Sequence, residues 1–141
     1  MKVIFVNGSS HANGTTMQAV KEMQKIFSAE GVETEVIQLG NQPIRDCIQC
    51  GYCGTHDACD DAVNQFTALA KEADGFVFAT PVYYAHPSGR ILAFLDRAFY
   101  SVQNVENPFA FKPGASIAVA RRGGTTASFD VLNKYFGISQ M

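Results

Sequence analysis

The chain has 141 residues, of which 47% are hydrophobic and 17% are charged, and its formal net charge is −2. This length suffices for one domain with a substantial core, and the absence of a Lys/Arg block argues against a nucleic-acid-binding protein. The longest apolar runs are strand-sized and the first residues do not resemble a signal peptide, so we expect no membrane segment and a cytoplasmic protein with reduced thiols.

Strands and helices alternate along the predicted chain. Apolar runs predict strands at residues 2–7, 32–39, 75–79 and 116–120. Apolar residues at helical spacing predict helices from residue 16 to about 30, from a cap at Asp60 or Asp61 to about 73, from 88 to 100 and from 126 to 136. The alternation predicts a single α/β domain over residues 1–141, with a parallel sheet covered by helices on both faces.

Three loops rich in small, polar or aromatic residues follow predicted strands, at residues 8–16, 81–89 and 121–126. Ligands bind open α/β sheets beyond the carboxyl ends of the strands, so these loops predict a shared site. The first loop joins a strand directly to a helix and carries hydroxyl and amide donors but no P-loop lysine. This composition suits the phosphate of a flavin mononucleotide, and an ordinary capped turn is the alternative.

The other two loops offer aromatic and cationic side chains. Tyr83 and Tyr84 in TPVYYAHPSG could lie along a flat aromatic ring, or could simply cover the core. Arg121 and Arg122 follow the last predicted strand. An arginine there would favour a reduced, anionic flavin, and a solvated pair is the alternative.

All four cysteines lie within thirteen residues, in the spacing C-x2-C-x2-C-x5-C. Three thiols at three-residue steps followed by a fourth could hold one iron–sulfur cube. The alternatives are reduced thiols without metal, a zinc site and a disulfide, of which the last two fit the spacing or the compartment less well. The ligands of this site would be Cys47, Cys50, Cys53 and Cys59.

The segments FVNGSSHANGTT, KEADGFVFATPVYYAHPSG, FLDRAFY and ARRGGTTASFDVLNKYF resemble the flavodoxin-like NAD(P)H-dependent FMN reductases. The cysteine run followed by two aspartates resembles the iron–sulfur flavoprotein branch, which implies one [4Fe–4S] cluster. The resemblance implies that the FMN phosphate contacts Ser9, His11, Asn13, Gly14, Thr15 and Thr16. It implies that the isoalloxazine ring contacts Pro81, Val82, Tyr83, Tyr84, Ser88 and Gly89.

The resemblance also implies a three-layer αβα fold with strand order 2-1-3-4. Relatives have a fifth parallel strand, whereas we count four strands here, so we expect that the fifth is missing and that the chain is truncated. A homodimer or homotetramer is implied as well.

Two classes of function follow from these observations. The first is an FMN-dependent oxidoreductase, with or without a cluster, whose electron donor is NAD(P)H or a ferredoxin. The second is a non-catalytic flavodoxin-like electron carrier, which the weak net charge of −2 disfavours. A redox or metal sensor is a weaker third possibility. No side chain stands out as a general acid or base, so we predict flavin contacts and cluster ligands but no catalytic residue.

Overall fold

A computed structural model describes residues 1–54, 62–102 and 106–141 of the chain. Its strands are β1 (Lys2–Asn7), β2 (Glu33–Gln38), β3 (Gly75–Tyr83), β4 (His86–Pro87) and β5 (Gly114–Val119). Its α-helices are α1 (Thr15–Ala29), α2 (Ala62–Ala70), α3 (Gly89–Ser101) and α4 (Thr125–Ile138), and a 3₁₀ turn spans Tyr52–Gly54. The caps predicted at Asp60 and Asp61 lie outside the described residues.

Four parallel strands form the sheet in the order β2-β1-β3-β5. The two inner strands, β1 and β3, are the most continuously apolar and the most deeply buried, whereas β2 and β5 are half-exposed. This difference follows from position, since an inner strand is covered on both faces and paired on both sides. The predicted α/β class and the predicted order 2-1-3-4 are confirmed, with β5 as the fourth parallel strand.

The segment predicted as a loop after the third strand is instead a β-hairpin, and that part of the prediction was wrong. Strand β3 continues to Tyr83, and β4 turns back antiparallel to it, with Val82 opposite Pro87 and Tyr83 opposite His86. Tyr84 and Ala85 form the turn with φ of 53° and 63°. Positive φ at both central residues is the geometry of a type I′ hairpin turn. This two-residue β4 brings the strands of the described residues to five, but it is antiparallel and precedes β5, so it is not the fifth parallel strand that relatives have.

Helices cover both faces of the sheet, which gives the three layers. Alternate residues of β1 and β3 face α1, where Phe5 and Val77 pack with Val20. The intervening residues face α2, α3 and α4, where Phe76 and Phe78 belong to the larger core.

Aromatic packing fixes α2 and α3 on the larger core. The Phe66 ring lies 5.2 Å from that of Phe94 and 5.9 Å from that of Phe78, so residues of both helices and of β3 meet. Such pairs add about 0.5–1.5 kcal/mol each beyond their buried area. No helix of the described residues is both long enough and apolar enough to cross a bilayer.

Candidate functional site

A hydrogen-bonded network holds the first loop at the carboxyl end of β1. Asn7 is fully buried, and its Nδ2 donates to Oε1 of Gln38 over 2.7 Å. The Ser9 amide donates to Asn7 Oδ1 over 3.1 Å, and Gln38 Nε2 donates to the Ser9 carbonyl over 2.6 Å. Because Asn7 and Gln38 lie opposite each other in neighbouring strands, the sheet register itself fixes where the loop leaves.

The loop ends at the start of α1, whose cap residue Gly14 makes no side-chain capping bond. Thr15 is exposed and Thr16 is 3% exposed, and the first turn contains no acidic residue. The first amides of a helix carry partial positive charge and need acceptors. This helix end is therefore suited to an anion such as a phosphate.

The remaining residues predicted at the phosphate lie before that helix end. Ser9 is buried and its Oγ accepts from the His11 amide over 3.1 Å, so this hydroxyl already shapes the loop. His11 and Asn13 are exposed, and the Ser10 hydroxyl lies 3.2 Å from His11 Nδ1.

The hairpin β3-β4 stands at the same edge of the sheet. Pro81 and Val82 are half-buried, whereas Tyr83 is 52% exposed and Tyr84 is fully exposed. Tyr84 and Ala85 adopt positive φ without being Gly, Asn or Asp, which is uncommon and costs energy. The exposed ring of Tyr84 in this turn offers a broad apolar surface to a ligand bound at this edge of the sheet.

The third loop packs directly against this hairpin at Gly124. Gly124 has a φ of +97°, and a Cβ built there would lie 2.5 Å from Cα of Ala85 and 2.8 Å from Cγ1 of Val82. Only glycine allows both this backbone conformation and this approach. Arg121 and Arg122 precede it as exposed side chains. The structure therefore brings the second and third loops together, as the sequence predicted.

Ser88 connects the first loop to α3. Its side chain is 4% exposed, its Oγ donates to the Gly8 carbonyl over 3.1 Å, and it accepts from the Ile91 amide as the cap of α3. Gly8 itself donates to the Ala79 carbonyl over 2.7 Å. Ser88 was predicted to contact the ring. Its hydroxyl is occupied by the hydrogen bonds to Gly8 and Ile91. Gly89, the first residue of α3, is exposed.

The cysteine segment lies elsewhere, against α3. Cys47 and Cys50 are exposed and Cys53 is half-buried within the 3₁₀ turn, and none of the three is in a disulfide. Cys59 lies outside the described residues, as does His56. Within the described part of the chain, no three Cys, His, Asp or Glu side chains lie close enough together to hold a metal ion. Four thiols are nevertheless the donor set of a [4Fe–4S] centre, so the residues fit that group by their chemistry.

A mostly apolar cavity of about 190 Å³ separates the cysteine segment from α3. Its lining includes Cys47, Cys50, Cys53, Tyr52, Arg97 and Tyr100. Arg97 is 8% exposed and its Nη1 donates to the Arg45 carbonyl over 3.4 Å. Arg97 was not among the residues predicted from the sequence, although a charged residue three positions after Phe94 and directly before Ala98, on an apolar helix face, is a visible signal.

Comparison with known sequences and structures agrees with this fold. The NADPH-dependent FMN reductase family matches residues 1–141, the whole chain. This chain belongs to that family. The predicted enzyme class, a flavin oxidoreductase of the FMN reductase type, is confirmed by the match.

Individual relatives of this FMN reductase family member carry two kinds of name. An iron–sulfur flavoprotein of Methanocaldococcus jannaschii is 31% identical over 145 residues, which cover 100% of this chain and 74% of that protein. An NADPH-dependent FMN reductase of Pseudomonas putida is 27% identical over 96 residues, covering 68% of this chain and 46% of that protein. The fold is similar to that of a flavodoxin from the domain Archaea, with a TM-score of 0.64, 17% identity and coverage of 100% of this chain and 76% of that one.

Proposed function

We propose that the chain binds FMN with its phosphate at the start of α1 and its isoalloxazine ring against the β3-β4 hairpin. The uncapped, acid-free beginning of α1 carries this proposal, since it meets a loop of hydroxyl donors at the carboxyl edge of a parallel sheet. In this arrangement the phosphate contacts would be Ser9, His11, Asn13, Gly14, Thr15 and Thr16. The ring contacts would be Pro81, Val82, Tyr83, Tyr84 and Gly89, with Ser88 beneath them.

Bound FMN would supply two-electron chemistry, by accepting a hydride, and one-electron chemistry, by releasing electrons singly. The protein's own residues bind and orient the cofactor. The Asn7–Gln38–Ser9 network holds the phosphate loop in place before the ligand arrives, so little ordering is needed on binding. The hairpin offers an apolar face, and Arg121 lies in the neighbouring loop, where its charge would favour a reduced, anionic flavin ring.

Flavin binding is tested by replacing Thr15 and Thr16 with Ala and titrating the protein with FMN by fluorescence. Each charge-assisted hydrogen bond lost should cost roughly 1.5–3 kcal/mol of binding free energy, so the dissociation constant should rise by at least about tenfold. Thr67→Ala is the control, because its hydroxyl bonds the Asn64 carbonyl within α2. Unchanged affinity in the double variant would remove the phosphate assignment.

We further propose that Cys47, Cys50, Cys53 and Cys59 hold one [4Fe–4S] cluster, so that electrons pass between flavin and cluster. The chemistry of four clustered thiols and the name of the archaeal relative support this. Iron and sulfide analysis after anaerobic reconstitution should find about four irons per chain. Cys→Ala variants should lose this iron while keeping FMN.

A second candidate is a plain flavin or quinone reductase whose cysteines hold no cluster. The lack of a metal-ligand group in the described residues favours it. Stoichiometric zinc or no metal after reconstitution would favour this candidate. Protein that is colourless after incubation with FMN and removal of the unbound FMN would contradict both candidates.

We propose NAD(P)H as the electron donor, because the family description names NADPH. A ferredoxin is the alternative donor. Steady-state oxidation of NADPH with an artificial acceptor separates an enzyme from a flavodoxin-like carrier, which would show no turnover. We also propose a cytoplasmic homodimer or homotetramer, and light scattering of the FMN-loaded protein measures the oligomeric state.

A further inference from the structure

Arg97 is the one charged side chain that is buried within the described residues. It projects from α3 into the cavity that Cys47, Cys50 and Cys53 also line. Tyr100 and Ser101, three and four positions further along α3, line the same cavity, so one face of this helix forms its wall. The three described thiols therefore share a small, mostly apolar space with a permanent cation.

A buried guanidinium is costly unless its surroundings compensate for lost hydration. An apolar face of α3 would be better filled by a hydrophobic residue, as it is at Phe94 and Ala98. Arg97 contacts the cysteine segment directly, because its Nη1 donates to the carbonyl of Arg45, two residues before Cys47. Arg97 thus links a helix of the core to the segment that carries the thiols.

On the basis of the proposed cluster, we propose that Arg97 is a positioning residue for it. Arg97 fastens residues 45–53 to α3 and places a fixed positive charge beside the anionic metal–thiolate group. Adding one electron to such a group makes it more negative. A nearby cation in a low-dielectric cavity stabilises the reduced state more than the oxidised state, and so raises the reduction potential.

Among the described residues, the other charged groups that line this cavity lie at its exposed edge. Arg45 and Asp46 also line it, but both are exposed and partly screened by water, and their charges are opposite. Neither can replace the effect of a buried charge. The reduction potential of the cluster should therefore respond to the charge at residue 97 more than to the charges of Arg45 and Asp46.

The experiment compares full-length wild type with Arg97→Met, Arg97→Lys and the control Arg90→Met. Arg90 lies on the same helix and is half-exposed, but it does not line the cavity. After anaerobic reconstitution, a dye-mediated titration followed by EPR gives the cluster potential. In the metal-free proteins, the rate of tryptic cleavage after Arg45, identified by mass spectrometry, reports how firmly the segment is held.

Arg97→Met should shift the reduction equilibrium at least tenfold towards the oxidised cluster, which is about 59 mV for one electron. It should also speed cleavage after Arg45 about tenfold. Arg97→Lys should keep the potential within threefold in equilibrium constant, yet be cut faster, because an ammonium lacks the guanidinium fork. Arg90→Met should match wild type in both measurements.

An unchanged potential in fully loaded Arg97→Met would refute the electrostatic role, and cleavage equal to that of Arg90→Met would refute the anchoring role. If wild type takes up no iron, the proposed cluster fails, and the cleavage rates alone still decide whether Arg97 positions the segment. If Arg97→Met neither melts cooperatively nor binds FMN, Arg97→Gln provides the neutral comparison, because it removes the charge but keeps a hydrogen-bond donor.

Discussion

Replacing Gly124 by Ala tests whether the second and third loops are held together by close backbone contact. The new Cβ would lie 2.5 Å from Cα of Ala85, so backbone must move by about 1 Å to restore ordinary van der Waals contact. Overpacking of this kind costs about 1–3 kcal/mol, and a non-glycine residue at such a φ costs about 1–3 kcal/mol more. We expect Gly124→Ala to lower the free energy of unfolding by about 2–6 kcal/mol.

The same displacement should weaken FMN binding, because the hairpin that moves is the proposed ring surface. Urea unfolding of the cofactor-free protein gives the stability, and fluorescence titration gives the FMN dissociation constant, which should rise at least about tenfold. Gly123→Ala is the matched control, since nothing lies within 4 Å of a Cβ at that neighbouring position. It should be neutral or stabilise by up to about 1 kcal/mol. Equal effects of the two substitutions on stability would refute the packing argument.

Three further substitutions probe the contacts beneath and beside the site. Ser88→Ala removes a helix cap and the donor to a carbonyl of the first loop, so urea unfolding should show a loss of about 2–4 kcal/mol. Gln38→Met leaves Asn7 Nδ2 without its acceptor, and should cost about 1–3 kcal/mol and weaken FMN binding in a fluorescence titration. Tyr135→Phe removes the hydrogen bond from the phenol to Asp96 and should cost about 1–2 kcal/mol. Burial, together with that hydrogen bond, raises the pKa of Tyr135 above its ordinary value of 10.0, so its contribution is complete below pH 10 and is lost at higher pH. The stability difference between wild type and Tyr135→Phe should therefore shrink above pH 10, and a constant difference would contradict this.

The inner strands were predictable because their apolar character is a local property. Residues 3–7 form a continuous buried run, and the predicted strand has the bounds of β1. The hairpin was not predictable by the same means. A type I′ turn is normally indicated by Asn-Gly or Asp-Gly, whereas here Tyr84 and Ala85 adopt the left-handed conformation. Contact with Gly124, 39 residues further along, holds this turn, and no local pattern reports such a contact.

The supporting residues of the candidate site depend on strand register, which a single sequence does not reveal. Asn7 is visible as a polar residue ending an apolar strand, but its partner Gln38 is assigned only when β1 and β2 are paired. The loops themselves could be predicted, since Gly, Ser and Thr after a buried strand indicate a turn into a helix.

Helix α3 connects the two proposed sites physically. At its N-cap Ser88 bonds the Gly8 carbonyl of the first loop, and nine residues later the same helix presents Arg97 to the cysteine segment. At 1.5 Å per residue, these points are about 14 Å apart along a rigid element. Core packing of Phe94 and Leu95 between them fixes the helix on the sheet. If flavin and cluster both bind, α3 would therefore link the segments that hold them through the hydrophobic core.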